Sequence, residues 1–273
     1  MTEFSLLSDR AVLAVEGEDV SDFLQGLLTQ DVTSASHDGA AFAALLTPQG
    51  KILFDFFLVP SEAGFLIDVA KDAVDAFAKR LKLYKLRAKI TIDKRDDLAV
   101  GWSPSDSAAD GGFVDPRGAG FGARCIAAPR TFSGGAADAA YDAHRLAAGA
   151  PEFGKDFESD SVFLLDVNYD ALSGVDYKKG CFVGQEVTSR MKRKGEVRKR
   201  TYCVSGAGAP PENGAALKAG AATLGEITSV GADPADGDQW RALARVRVDR
   251  VAAAEAAPKI DGRAIDLAAP SYL

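Results

Sequence analysis

The stretch Asp176-Tyr177-Lys178-Lys179-Gly180-Cys181-Phe182-Val183-Gly184-Gln185-Glu186 organises the reading of this chain. Two glycines bracket a lone cysteine, two lysines precede it, and a Gln-Glu pair follows. The glycines predict a tight turn that exposes backbone. Beyond Gly184, the run Gln185 to Met191 predicts a short helix, with Val187 and Met191 four residues apart on one face. Cys181 then stands just before a helix N-terminus beside Lys178 and Lys179, where the dipole and the ammonium groups favour a thiolate. The competing reading is a small buried hydrophobe under a loop, since free cysteine is among the most buried residue types.

Composition bounds the alternatives. The 273 residues suffice for two domains or three small ones. The hydrophobic and charged fractions, 47% and 26%, are those of an ordinary globular chain. A net charge of −7 argues against general nucleic-acid binding. No run approaches the roughly 18 apolar residues of a membrane span. Met1 to Arg10 carries acids and no apolar core of a secretory signal, so a cytoplasmic location is expected. Cys125, Cys181 and Cys203 form no close pair, so neither a disulfide framework nor a cysteine-based zinc or iron–sulfur site within one chain is expected. His37 and His144 are each isolated from obvious partners, and nothing in the sequence supports a metal site or a catalytic triad.

Taken in order, Phe4-Leu7 and Ala11-Val15 are short apolar runs around a Ser8-Asp9-Arg10 turn. Val20, Phe23, Leu24, Leu27 and Leu28 predict one amphipathic helix within Gly17 to Val32. Ala40–Leu46 and Ile52–Val59 read as strands joined by a turn at Thr47-Pro48-Gln49-Gly50-Lys51. The second is nearly all apolar, as in a strand buried on both faces. Asp55 is its exception. A carboxylate there needs a partner or loses its charge, and it is read as an acid lining a cavity rather than one pointing off an edge. Gly64–Ala70 follows as a strand and Lys71–Tyr84 as a helix. Lys82, Lys85, Arg87 and Lys89 form either a solvated basic face or a seat for an anionic ligand. Short strands at Leu98–Trp102 and Gly122–Ala127 lie between Gly/Pro/Asp turns. Ser133-Gly134-Gly135 opens a helix that ends at Gly149 and Pro151.

Nine basic residues lie between Lys178 and Arg200: Lys178, Lys179, Arg190, Lys192, Arg193, Lys194, Arg198, Lys199 and Arg200. The nearby acids are Asp176, Glu186 and Glu196. An RNA-binding patch is one reading of this run. No aromatic residues are interleaved for stacking, so a solvated face or a grip on a small anion is preferred. From Thr201 the texture becomes short strands and Gly/Pro/Asp turns. The strict alternation of Ala244-Arg245-Val246-Arg247-Val248 predicts a strand with one buried face. The bottom-up fold class is α+β followed by a small β-barrel or sandwich.

Four segments also carry a family resemblance. Lys179 to Glu186 resembles the Lys-Gly-Cys-(Tyr/Phe)-x-Gly-Gln-Glu signature of the YgfZ family of folate-binding, iron–sulfur-assembly proteins, with Phe182 where Tyr is commoner. These are relatives of the T-protein of the glycine cleavage system. Gly17 to Val32 resembles the family's first motif, a helix ending in Leu-Thr-x-Asp. Tyr84 to Ile90 resembles its Tyr-x-Leu-Arg-x-Lys-Val segment, and Arg145 to Gly154 its Arg-x-x-x-Gly-x-Pro-Glu-x-Gly element.

The resemblance spans about Gly17 to Val248. It implies a T-protein-like ring of two intertwined α+β domains with a small C-terminal β-barrel and a folate-sized central cavity. The expected divisions are an N-terminal α+β domain at 1–95, a middle α+β domain at 96–196 and the barrel at 197–273. T-proteins carry two adjacent acids where this chain has Phe54-Asp55, which weighs against aminomethyl transfer and leaves folate binding open.

The resemblance thus implies a tetrahydrofolate-binding factor for assembly or repair of [4Fe–4S] proteins, with iron–sulfur assembly or client proteins as partners. A folate-dependent aminomethyl or methyl transferase is the alternative, and an RNA-binding module through the 178–200 run the second. Cys181 is the expected reactive or cluster-contacting thiolate, tuned by Lys179. Asp55, Arg87, Gly180, Gly184, Gln185 and Glu186 are the residues expected around the folate.

Overall fold

The computed structural model describes residues 3–108, 111–132, 136–195, 197–233 and 235–273, with no description of the side chains at 36–38. The Ser133-Gly134-Gly135 turn, Glu196, the first two residues and the His37 side chain therefore lie outside the described residues. The chain divides into two units, each made of separate chain segments: residues 1–138 with 172–187, and residues 139–171 with 188–273.

The first unit begins with the two expected apolar runs, β1 (Ser5–Leu7) and β2 (Arg10–Gly17). The expected helix over Gly17–Val32 breaks into α1 (Val20–Gln25), an irregular turn, and α2 (Val32–Asp38). The break has a tertiary cause. Leu28 bridges to Leu45 in the neighbouring strand, and Thr29 N–H donates to the Ala44 carbonyl at 3.1 Å. Asp31 then caps α2 by accepting from Thr33 N–H at 2.9 Å. Those amide-bearing residues are held by a strand instead of continuing the helix.

There follow β3 (Ala41–Leu46), β4 (Ile52–Ser61), β5 (Gly64–Ala70), α3 (Val74–Lys85), β6 (Ile90–Lys94), β7 (Ala99–Ser103), β8 (Phe113–Val114) and β9 (Ala123–Ala127). A single helical 3-10 turn at Lys71–Ala73 precedes α3. Two antiparallel sheets result, ordered β3-β4-β5-β2-β6 and β1-β7-β9-β8.

Strand β4 shows why period two matters here. Phe54 and Phe56 point to one face, where their rings lie 5.2 Å and 4.8 Å from that of Phe77 on α3. Asp55 and Phe57 point to the other. Phe57 is paired in register with Asp68, so Asp55, Phe57 and Asp68 share that face. The face is closed by a layer of buried charge. Asp68 accepts from Arg10 Nε at 2.6 Å and from Arg124 Nη1 at 2.8 Å, and all three side chains are at most 1% exposed. Asp115 accepts from Arg117 at 3.0 and 2.7 Å and from Arg124 at 3.4 Å. Phe57 lies beneath, with the Arg124 and Arg117 guanidinium carbons 4.0 and 5.0 Å from its centroid. Burial works against the charge of Asp115, but the two guanidinium groups hold its carboxyl below the usual range.

In the second unit, α4 (Asp138–Ala148) ends at Gly149, whose φ of +78° suits a left-handed helix stop. Arg145 donates to Asp142 and Asp156 at 2.6 Å, and Asp156 accepts from Thr228 and Ser229 at 2.7 and 2.5 Å. Glu152 accepts from the Tyr141 hydroxyl at 2.5 Å. The Arg145–Gly154 element is thus an internal ionic lock.

Helix α5 (Gln185–Lys194) leads to β10 (Lys199–Ala207), β11 (Ala216–Ala219), β12 (Ala222–Asp233), β13 (Asp236–Arg247), α6 (Val248–Ala252), β14 (Pro258–Ile260), β15 (Arg263–Ala264) and β16 (Asp266–Ala268). The seven strands form one antiparallel sheet ordered β15-β14-β11-β12-β13-β10-β16. Its inner face buries Leu217, Ile227, Trp240, Ala244, Val246 and Ile260. Arg245 and Arg247 sit between the buried positions, as the alternation predicts. Among the described residues no helix is long and apolar enough to cross a membrane.

Candidate functional site

The loop from Asp176 to Gln185 is built onto the broken end of α1. Thr29 anchors it first: its hydroxyl donates to the Gly174 carbonyl at 2.7 Å, and its own carbonyl accepts from Asp176 N–H at 3.0 Å. Gln30 adds a bond from its side-chain amide to the Ser173 carbonyl at 2.6 Å. The Leu-Thr-Gln-Asp segment at 28–31 is therefore the seat of a loop that lies about 150 residues further along the chain.

Lys179 completes the attachment. It is 8% exposed, and its ammonium donates to the carbonyls of Gln25, Leu28 and Gln30 at 2.9, 2.7 and 2.9 Å. All three donors of the ammonium are matched. The Phe182 ring packs beside it, 5.5 Å from Nζ to centroid. Burial lowers the Lys179 pKa from 10.5 to about 8, against the pull of Asp31 and Asp176. The ammonium was expected to tune the cysteine; the structure shows it engaged by backbone carbonyls.

The far side of the loop rests on the turn between β3 and β4. Gly184 has φ of +82°, and a Cβ there would stand 2.7 Å from the Thr47 carbonyl oxygen and 3.1 Å from Gly50 Cα. Glycine at 184 is required by both backbone conformation and space. Gly180 differs: a Cβ there would meet nothing within 4 Å. Gln185 closes the loop through its amide N–H to the Phe182 carbonyl at 3.2 Å and its side chain to the Gly180 carbonyl at 3.4 Å. Helix α5 starts at Gln185, as the sequence predicts, and Glu186 in its first turn is exposed.

Between these two anchors stands Cys181, exposed, with Lys178 and Gly180 exposed beside it. The alternative of a buried structural cysteine does not describe this residue. It does describe Cys125, which is buried and whose thiol pKa burial raises. Cys203 is half-buried, and burial raises its thiol too. Among the described residues no three His, Cys, Asp or Glu side chains are grouped to hold a metal ion.

The remaining expected site residues lie elsewhere. Asp55 is 2% exposed on the sheet face that carries Phe57 and Asp68. Arg87 is exposed just past α3, the helix whose Phe77 packs on the opposite face of that sheet. Lys82 and Lys89 are likewise exposed, and Lys89 pairs with Glu18 at 2.8 Å. In the basic run, Arg190, Lys192, Arg193, Lys194, Arg198 and Lys199 are exposed, while Arg200 pairs with Asp170. Sequence reasoning missed the roles of Thr29, Gln30 and Gln25, for which the Leu-Thr-x-Asp motif was the available signal.

Comparison with known proteins adds family and fold. Residues 198–273 match the family model described as the CAF17 C-terminal beta-barrel domain. The chain is 31% identical over 225 residues to an iron-sulfur cluster assembly factor IBA57 homolog, mitochondrial, of Neurospora crassa, covering 71% of this chain and 51% of that protein. It is 33% identical over 235 residues to the Coccidioides immitis protein of the same description, covering 72% and 55%. It is also 33% identical over 230 residues to that of Mycosarcoma maydis, covering 74% and 57%. The chain thus spans about half the length of the curated relatives it matches. In structure it is similar to glycine cleavage system aminomethyltransferase T from Bartonella henselae, with TM-score 0.75, 18% identity, and coverage of 100% of this chain and 86% of that one. This chain therefore has the aminomethyltransferase T fold, and its sequence is similar to iron–sulfur cluster assembly factors over most of its length.

Proposed function

We propose that this protein is an assembly or repair factor for iron–sulfur proteins, with Cys181 as its working thiol. The observation that carries the reading is an exposed cysteine on a loop fixed at both ends, by Lys179 and by Gly184. The likeness to assembly factors over more than two thirds of the chain supports it. The cluster is cargo here. One thiolate supplies one of the four cysteine ligands that such clusters ordinarily take, so the others come from the donor or client protein. The partners are accordingly iron–sulfur assembly or client proteins.

Tetrahydrofolate stays in the proposal as a ligand to be tested, and no step is routed through it. Heat evolved on titration with tetrahydrofolate would establish it, and a silent titration would remove it. Aminomethyl transfer is not proposed, because position 54 holds a ring packed on Phe77 where T-proteins carry an acid.

The test uses cells that lack the gene. Activity of a [4Fe–4S] enzyme is measured after complementation with wild type or Cys181→Ser at matched protein levels. Recovery with wild type alone is the expected result. Equal recovery with both would remove the thiol from the function. An enzyme never impaired by the deletion would end the assembly reading.

A further inference from the structure

The group that holds the cysteine loop is a socket made of backbone. The carbonyl oxygens of Gln25, Leu28 and Gln30 converge on one point, 2.7–2.9 Å from Lys179 Nζ. They come from the last residue of α1 and the turn beyond it, so they do not belong to one regular helix end. The turn is fixed independently of Lys179. Leu28 is bridged to Leu45, Thr29 is bonded to Ala44, and the Gln25 side chain accepts from Val32 N–H at 2.9 Å. Convergent carbonyls of this kind are the ligands by which proteins replace the hydration shell of potassium. An ammonium group, similar in size and charge, fills the same need with three directed N–H bonds.

We propose that Lys179 is a positioning residue that acts as a tethered monovalent cation, plugging this carbonyl socket and so setting where Cys181 stands. The consequence for function rests on the reading of Cys181 given above; the socket itself does not. Cys181 lies two residues past Lys179, and Gly184 pins the other end of the same short loop. With the cation removed, three inward carbonyls lose their donor, and the loop is left on that side with only the bonds of Thr29 and Gln30 before Asp176.

The experiment places a trifluoromethyl reporter on Cys181 by alkylation and reads its fluorine resonance in isolated protein, with Cys181→Ser identifying the signal. Wild type is expected to give one narrow line. Lys179→Ala is expected to lose it to a shifted, broadened line. Ammonium or potassium chloride should restore the narrow line, and choline chloride at equal ionic strength should not. A Lys179→Ala line identical to wild type, or equal restoration by choline, overturns the proposal.

If Lys179→Ala does not fold by circular dichroism, the wild type decides alone. An ammonium held by three carbonyls exchanges its protons slowly and shows its own nitrogen–proton correlation at neutral pH; its absence overturns the proposal. Failure of Cys181→Ser to affect complementation would defeat the proposed function and leave the socket result standing.

Discussion

The first unit buries positive charge in two places, by two different means. Between its sheets, Arg10, Arg117 and Arg124 are neutralised by the carboxylates of Asp68 and Asp115, with Asp55 on the same face. Beside the cysteine loop, Lys179 is held by carbonyl dipoles, and burial outweighs the pull of Asp31 and Asp176 on its charge. Guanidinium does not titrate in this range, and forked pairs lock its geometry. A lysine whose direct partners are carbonyl dipoles keeps one positive charge that can be lost or replaced. The arginine layer therefore ties two sheets together, whereas the lysine holds one loop.

The largest effect should come from breaking the first place. Asp68→Ala leaves two buried guanidinium groups without their shared acid, a change that costs about 3–5 kcal/mol in comparable sites. Urea unfolding should show a collapse of stability or no folded protein at all, while a near-neutral result would show the layer to be dispensable. The same layer should weaken in acid. Asp115 has a lowered pKa in the folded state, so its contribution is full above 3.8 and is lost as pH falls through its folded value.

The loop offers a sharper contrast between its two glycines. Gly184→Ala meets both left-handed backbone and the Thr47 carbonyl, and should lose about 2–4 kcal/mol. Lys179→Met should lose less, about 1–3 kcal/mol near neutral pH, because one buried and two half-buried acceptors lose a donor while the burden of a buried charge is relieved. The sign with pH is specific. Folded Lys179 releases its proton near 8 and the unfolded chain near 10.5, so wild type should gain on Lys179→Met as pH rises between those values. A constant difference across that window would contradict a depressed lysine. Gly180→Ala should change stability by less than about 0.5 kcal/mol, as befits a site with open space. A large loss there would mean that the loop is packed differently.

Much of this was legible beforehand. The alternating strand read over 244–248 forms as far as Arg247, with Val248 opening a short helix, and the turn at Gly184 and the helix from Gln185 form as read. The long helix over Gly17–Val32 does not, because apolar spacing says which residues are buried and not what accepts their amide bonds. Leu27 and Leu28 are buried as expected, but from a turn that serves β3 and the cysteine loop. Asp55 stands out in an apolar strand, but the sequence shows neither that Asp68 shares its face nor that Arg124, 56 residues on from Asp68, pairs with that acid.

Residue pattern carries the local order: alternating strands, a glycine turn at 184, and a cysteine set between two lysines and a helix. Folding settles which lysine faces water and which is plugged into carbonyls, and that Cys181 alone of the three cysteines is exposed. The physical reason is that a side chain's chemistry depends on its acceptors and its burial. For Lys179 those acceptors are supplied by residues some 150 positions away, which no local pattern records.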